Sequence, residues 1–200
     1  MRKALVAAVL SAATLFSVPA LAADTEKKIG VGGDAMFVIP VGDFSDITGI
    51  QFGLLGRGGY RVLPQLEITG RIGYIHGFKK EFPNTGGNVK SGVSVIPVWA
   101  GARWFFFSDN PLAGPYAGGE LGLNFISTHP DPGDGDSYTR FGFNAFGGYV
   151  ISPELPIDIR GQFLYYNLIG KDSRDLPGGS SITENTALGF GISVGYTYQL

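Results

Sequence analysis

Hydrophobic and polar residues alternate along most of the chain with a period of two, the pattern of a β-strand with two unlike faces. The alternation is clearest at residues 188–200, where one parity is entirely apolar or aromatic and the other is small or polar. Similar alternation defines eight predicted strands: 29–39, 50–62, 65–76, 93–106, 116–127, 138–151, 155–166 and 188–200. The pattern therefore predicts an all-β protein.

The connections between the predicted strands alternate in length. Three are short, at 63–64, 108–114 and 152–154, and four are mostly longer, at 40–49, 77–92, 128–137 and 169–185. Each strand is long enough to cross a bilayer at a tilt, which takes about 9–11 residues. Short turns at one end and long loops at the other are typical of outer-membrane barrels and place both chain ends on the periplasmic side. We predict an eight-stranded antiparallel up-and-down transmembrane β-barrel over residues 29–200.

The start of the chain has a different pattern, that of a secretory signal. Arg2 and Lys3 precede an apolar run at residues 4–15, and Ala20-Leu21-Ala22 has the form of an A-x-A cleavage site. The apolar run is too short for a membrane anchor. We predict a cleaved signal peptide at 1–22 and a short N-terminal segment at 23–28, so that the protein is exported.

Composition favours strands and argues against a soluble surface. Charged residues make up 16% of the chain, against about 25% in soluble domains, yet no later segment has the roughly 20 apolar residues of a membrane helix. The 32 glycines and 12 prolines favour strands and tight turns. With no cysteines, a net charge of -2 and no basic cluster, we predict no disulfide, no thiolate metal site and no nucleic-acid partner.

The parity opposite to the apolar face carries charge, and we expect it to line the barrel interior. Its basic residues are all arginine, whereas the lysines lie near the start of the mature chain or in predicted loops. Arginine makes planar, bidentate ion pairs and stays charged when buried, and an eight-stranded barrel is just wide enough for side chains to fill. We predict a polar interior plugged by a charge network, with a packing role rather than a conducting or catalytic one: Asp34, Arg57, Glu67, Arg71, Arg103, Glu120, Asp158 and Arg160.

A soluble, lipocalin-like barrel also has eight antiparallel strands, but with the apolar parity inside. Two features favour the membrane orientation. The charged parity also carries many glycines, which suits a confined interior, and the apolar parity continues through all eight strands and ends in aromatic residues. Aromatic residues near strand ends form the interfacial girdle of membrane barrels. The predicted girdle contains Tyr60, Tyr74, Trp104, Tyr149, Tyr165, Tyr196 and Tyr198.

Two regions resemble known outer-membrane proteins. Residues 192–200 alternate apolar side chains to the chain end and resemble the C-terminal signal of these proteins, although Leu200 stands where that signal usually has Phe. Residues 96–107 and 114–123 resemble the central hairpin of the small OmpA, OmpX, OmpW and opacity-type barrels. The resemblance covers about residues 29–200. It implies insertion by the outer-membrane barrel assembly machinery and contact with outer-membrane lipid and lipopolysaccharide.

Little in the sequence indicates catalysis or a cofactor. The only two histidines, His76 and His129, lie at the outer ends of predicted strands, and neither matches the His-x-Ser arrangement of barrel acyl hydrolases. We predict that both are surface residues and that the protein is not an enzyme, with no cofactor or metal. A glycine-containing loop with Asp131, Asp134 and Asp136 could hold Ca²⁺. It lacks EF-hand spacing and a closing Glu, which favours a solvated turn.

Two functions remain compatible with this barrel. The first is a structural or surface-interaction role, in which long extracellular loops contact a ligand in the envelope or on a host surface. The second is a narrow porin or carrier for small solutes, hydrophobic ones among them. The filled interior favours the first.

Overall fold

In a computed structural model of the chain, eight long strands form one closed antiparallel barrel. The structure describes residues 29–84, 87–106, 113–131, 135–169, 173–175, 181–183 and 187–200. The predicted signal peptide at 1–22 and the segment at 23–28 lie outside the described residues. No helix in these described ranges is long and apolar enough to cross a membrane.

The barrel strands follow one another around the wall in chain order, and the last pairs with the first. The strands are β1 (Ile29–Val41), β2 (Gln51–Leu63), β3 (Leu66–Gly77), β4 (Lys80–Asn84), β5 (Gly87–Ser91), β6 (Val93–Phe105), β7 (Gly114–Thr128), β8 (Ser137–Val150), β9 (Ile157–Ile169), β10 (Ser173–Asp175), β11 (Ser181–Thr183) and β12 (Leu188–Gln199). All except β4, β5, β10 and β11 belong to the barrel. The predicted fold class, an eight-stranded antiparallel up-and-down barrel, is confirmed.

Two of the predicted long loops contain short strand pairs. Residues 77–92, predicted as a loop, form the β4–β5 hairpin, in which Lys80 pairs with Ser91. Residues 169–185 likewise include the β10–β11 pair. Each of these strands has five residues or fewer. That is too short for period-two alternation to be recognised, so the loop prediction was wrong in these two places.

The two ends of the barrel differ, and we name them by their connections. The turn end has the connections at 64–65, 106–113 and 151–156, and there Leu200 donates its backbone N–H to Ile29. The loop end has most of the longer connections and a 3₁₀ turn at Gly42–Asp46. Phe44 from this turn is buried and packs on Tyr166, with ring centroids 5.5 Å apart. The turn therefore inserts an aromatic side chain into the mouth of the barrel.

The outer wall is apolar on every barrel strand. Each strand exposes large hydrophobic side chains, among them Phe37, Leu54, Ile72, Ile96, Leu121, Tyr149, Ile159 and Ile192. A band of this kind would expose far more apolar surface to water than soluble monomers do. It is the surface expected against hydrocarbon chains.

Candidate functional site: barrel interior and loop-end rim

The structure buries the side chains of all eight residues predicted for the interior charge network. Because they lie on β1, β2, β3, β6, β7 and β9, the contacts among them run across the interior as well as along the wall. The eight residues are Asp34, Arg57, Glu67, Arg71, Arg103, Glu120, Asp158 and Arg160. We refer to them as the charge network.

Asp158 is the centre of the turn-end half of this network. Its carboxylate accepts hydrogen bonds from Arg57 and from the Tyr116 hydroxyl. The Oδ2 atom also lies 3.3 Å from a guanidinium nitrogen of Arg103 and 3.3 Å from one of Arg160. One carboxylate therefore contacts three arginines, which offsets part of the cost of removing their charges from water.

Glu120 has a similar place nearer the loop end. Arg71 donates to it through Nε at 3.0 Å, and Asn144 and Thr69 donate at 3.0 and 3.2 Å. Arg71 also donates to Gln162 at 3.1 Å. Neutral donors and acceptors thus supplement the ion pairs around these buried charges. Asn144 and Gln162 share the alternation parity of the charged residues on their strands, but the sequence does not indicate which charges they contact.

Asp34 and Glu67 connect the remaining arginines. Asp34 lies 3.2 Å from Arg57 and 3.5 Å from Arg71. Glu67 lies 3.0 Å from Arg103. Together with Asp158 and Glu120, these contacts join all eight residues into one continuous network.

Aromatic residues close the charge network toward the turn end. A cluster formed by Phe105, Tyr116, Phe146 and Val150 fills this part of the interior. The Arg160 guanidinium lies 4.3 Å from the centroid of Phe146, and that of Arg103 lies 4.9 Å from the centroid of Phe105. Such cation–π contacts stabilise a guanidinium that has lost its water.

Apolar side chains fill most of the interior at the loop end, with Gln51 and Asn124 buried among them and hydrogen-bonded to Tyr166. The loop-end cluster consists of Met36, Val38, Phe44, Leu55, Ile75, Val93, Val95, Trp99, Ile126, Leu164 and Tyr166. The predicted charge network therefore occupies the part of the interior below this cluster, on the side of the turn end. A signal for the difference is present at 36–39 and 93–98, where apolar residues occupy both parities of a strand. Strands apolar on both faces indicate burial on both faces.

The residues of the predicted aromatic girdle lie on the outer wall. Tyr60, Tyr74, Trp104, Tyr149, Tyr196 and Tyr198 are exposed, whereas Tyr165 is half-buried. The strand register divides them unequally between the two ends. Only Tyr74 and Tyr165 lie toward the loop end, and the other five lie toward the turn end.

The two histidines come together on the loop-end rim, which sequence reasoning did not anticipate. His76 Nδ1 lies 3.2 Å from Ser94 Oγ, and His129 Nε2 lies 3.1 Å from the same atom. The Tyr74 hydroxyl donates to Ser94 Oγ at 2.9 Å. Ser94 is only 4% exposed because these three side chains cover it. We call Tyr74, His76, Ser94 and His129 the rim cluster.

Charged residues beside the rim cluster connect it to the β4–β5 hairpin. The Lys79 ammonium lies 3.2 Å from the Asp131 carboxylate, and the backbones of Lys90 and Asp131 exchange two hydrogen bonds. Lys90 also pairs with Glu81 at 2.5 Å, and this hydrogen bond raises the pKa of Lys90. The connection after β7 is thus held against the hairpin.

Carboxylates do not form a metal site in the described part of the chain. No group of three or more His, Asp or Glu side chains there could hold an ion. Asp134, in the acidic loop considered for Ca²⁺, lies outside the described residues.

The closed barrel, its apolar outer wall and its filled interior define a small transmembrane β-barrel. The chain belongs to the outer membrane protein beta-barrel domain family, whose model matches residues 8–197. This family assignment confirms the predicted resemblance to small outer-membrane barrels. No curated protein sequence matches the chain.

Solved structures with the same kind of fold come from several Gram-negative bacteria. Neisserial surface protein A is similar with a TM-score of 0.56 and 20% identity, over 86% of this chain and 97% of that chain. Ail, the attachment invasion locus protein of Yersinia pestis, gives a TM-score of 0.47 and 14% identity over 86% and 97%. The N-terminal barrel of Pseudomonas aeruginosa OprF gives 0.45 and 16% over 84% and 97%. At 20% identity the likeness to Neisserial surface protein A concerns the fold alone.

Proposed function

We propose that the protein is a non-conducting surface barrel that acts through its loop end rather than through its interior. The observation that carries this proposal is the filling of the interior by three successive layers. The turn-end aromatic cluster comes first, the charge network second and the loop-end cluster third. Phe44 adds a further side chain at the mouth. A solute or hydrated ion would have to displace packed side chains and break buried ion pairs to pass.

We further propose that the turn end faces the periplasm and the loop end faces the cell exterior. Both chain ends of the barrel lie at the turn end, where an exported chain would reach the assembly machinery from the periplasmic side. The outer wall would then contact membrane lipid, with lipopolysaccharide around the loop end. In this arrangement the signal peptide at 1–22 is removed before assembly.

The proposed role is a structural or binding one, without catalysis. Surface loops held on a rigid barrel are a common way to present binding residues. Here the β4–β5 hairpin carries Lys80 and Lys90 beyond the barrel wall, and Lys79 lies beside it. We propose that this surface and the neighbouring loops contact a component of the envelope or of a host surface.

Conductance in planar bilayers tests whether the interior is closed. We expect the purified barrel, without its signal peptide, to give no steady single-channel currents, because the charge network and the loop-end cluster fill its interior. Unheated gel migration should first show that the inserted material is folded, since a closed barrel migrates faster before heating than after. Steady currents with solute selectivity would contradict the proposal and favour a narrow porin or carrier.

A further inference from the structure

The rim cluster brings together the only two imidazoles of the chain, from positions 53 residues apart in the sequence. His76 is on β3, and His129 follows β7. Both side chains point to one atom, Ser94 Oγ on β6. We propose that His76 and His129, with Ser94 and Tyr74, form a binding site for a divalent transition-metal ion at the loop-end rim. This site is separate from the surface-interaction role proposed above.

The spacing of the donor atoms fits a shared ion. Ligands bound at about 2.0–2.2 Å to a tetrahedral or octahedral metal lie about 2.9–3.5 Å from one another. In the rim cluster, Ser94 Oγ is 3.2 Å from one imidazole nitrogen, 3.1 Å from the other and 2.9 Å from the Tyr74 oxygen. These three distances, which all meet at Ser94 Oγ, fall within that range. We infer that side-chain movements, without rearrangement of the strands, bring the four donors around one ion.

Hydrogen bonds account for the same cluster when no ion is bound. The Ser94 hydroxyl donates to one imidazole and accepts from the N–H of the other imidazole and from Tyr74. Each group has a defined partner, so the imidazoles are held in place before metal binding. A preformed site costs less conformational entropy when the ion binds.

The ligand chemistry selects the kind of ion. Imidazole nitrogen suits copper, zinc and nickel, whereas calcium and magnesium prefer carboxylate and carbonyl oxygens. Asp131, the carboxylate two residues from His129, pairs with Lys79. Two imidazoles with hydroxyl oxygens therefore favour Cu²⁺ most strongly, with Zn²⁺ and Ni²⁺ weaker, as in the general order of divalent-metal affinities.

An ion at this position would fasten three parts of the loop end together. The ligands come from β3, from β6 and from the connection after β7. That connection already bonds to the residue before β6, because His129 donates its backbone N–H to the Gly92 carbonyl at 2.8 Å. Because the ion would bind the folded barrel and not the separated ligands of the unfolded chain, it should raise the unfolding temperature.

The test uses the full mature chain without an affinity tag, folded in detergent and stripped of metal with a chelator. Titration with Cu²⁺ should show one ion per barrel, and its electron paramagnetic resonance spectrum should show two coordinating imidazole nitrogens. His76→Ala and His129→Ala should each weaken binding at least tenfold, and the double variant should lose the two-nitrogen spectrum.

Ser127→Ala is the matched control, since Ser127 is another rim serine and bonds only to Ser137 in the hydrogen bonds observed. It should bind Cu²⁺ as the wild type does. Gel migration establishes whether each variant is folded. An alanine variant that does not fold is replaced by the corresponding glutamine variant, His76→Gln or His129→Gln. Two results would overturn the proposal. One is failure of the wild type to bind Cu²⁺. The other is unchanged binding in the double variant, which would indicate an ion held elsewhere, for example by the N-terminal amine. Neither outcome bears on whether the interior is closed.

Discussion

Asp158→Ala should destabilise the folded barrel more than any other single change in the charge network. The substitution takes the shared carboxylate away from Arg57, Arg103 and Arg160 and leaves the Tyr116 hydroxyl without its acceptor. Removing one partner of a buried ion pair costs about 3–5 kcal/mol, because the remaining charge stays buried. In a domain of this size that corresponds to an unfolding temperature lower by on the order of 10 °C. The unfolding temperature is measured as the temperature at which the fast-migrating gel band disappears.

The three arginines differ in the ion-pair partners that remain to them in Asp158→Ala. Arg57 keeps Asp34 at 3.2 Å and Arg103 keeps Glu67 at 3.0 Å, whereas the ion pair that Arg160 keeps among the described residues is the longer one to Glu120, at 4.0 Å. Asp158→Asn retains an acceptor oxygen without the charge, so its unfolding temperature should lie between those of the wild type and Asp158→Ala. Glu154→Ala removes an exposed acid four residues away in the turn and should change stability by less than about 0.5 kcal/mol. Equal stability of Asp158→Ala and Glu154→Ala would show that the network does not stabilise the barrel.

Gly101→Ala should greatly reduce the yield of folded barrel. Gly101 faces the interior on β6, and a β-carbon there would overlap the carbonyl oxygen of Gly119 and crowd the backbone of Glu120 on β7. Rotation of a side chain cannot relieve a clash with backbone, so β6 and β7 must move apart where their hydrogen bonds join the wall. Overpacking of this kind costs about 1–3 kcal/mol, and more where the backbone must shift. The refolded fraction in detergent, read from unheated gels, measures the effect.

Gly58→Ala is the matched control for this change. Gly58 also lies in the middle of a barrel strand, β2. No heavy atom comes within 4 Å of the position that its β-carbon would take. Because alanine restricts the unfolded chain, this variant should be as stable as the wild type or more stable by up to about 1 kcal/mol. Normal refolding of Gly101→Ala would contradict the expected close approach of β6 and β7.

The barrel could be predicted from the sequence because its wall depends on a local pattern. Alternation with period two indicates which residues share a face, and the alternating loop lengths indicate how the strands connect. Both signals are carried by segments of about ten residues. The β4–β5 hairpin was missed for the same reason, since five residues per strand do not establish a period.

Alternation does not indicate which residues meet across the interior. The contact between Arg57 and Asp158 joins residues 101 positions apart, and it depends on closure of the whole barrel. The rim cluster illustrates the same limit, because Ser94 connects His76 to His129 only through the pairing of β3, β6 and β7. Considered separately, each histidine has the sequence context of a surface residue.

The loop-end cluster could not be inferred from parity because both faces of the strands are apolar there. At residues 93–98 the parity facing lipid and the parity facing inward are equally hydrophobic for most of the run. A rule that assigns polar residues to the interior therefore fails where the interior itself is an apolar core. Such runs identify the segments that are buried on both sides.

The pairing of β1 with β12 also determines the order in which the barrel can be completed. The first strand has no partner on one side until the last strand has been delivered, so the wall closes only when the entire chain is present. Until then Arg57 cannot reach Thr197, which lies 140 residues away. Contacts of such long sequence separation make folding slow. A chain stopped before β12 would leave β1 and β9 without their partner strand and Arg57 without its contact to Thr197.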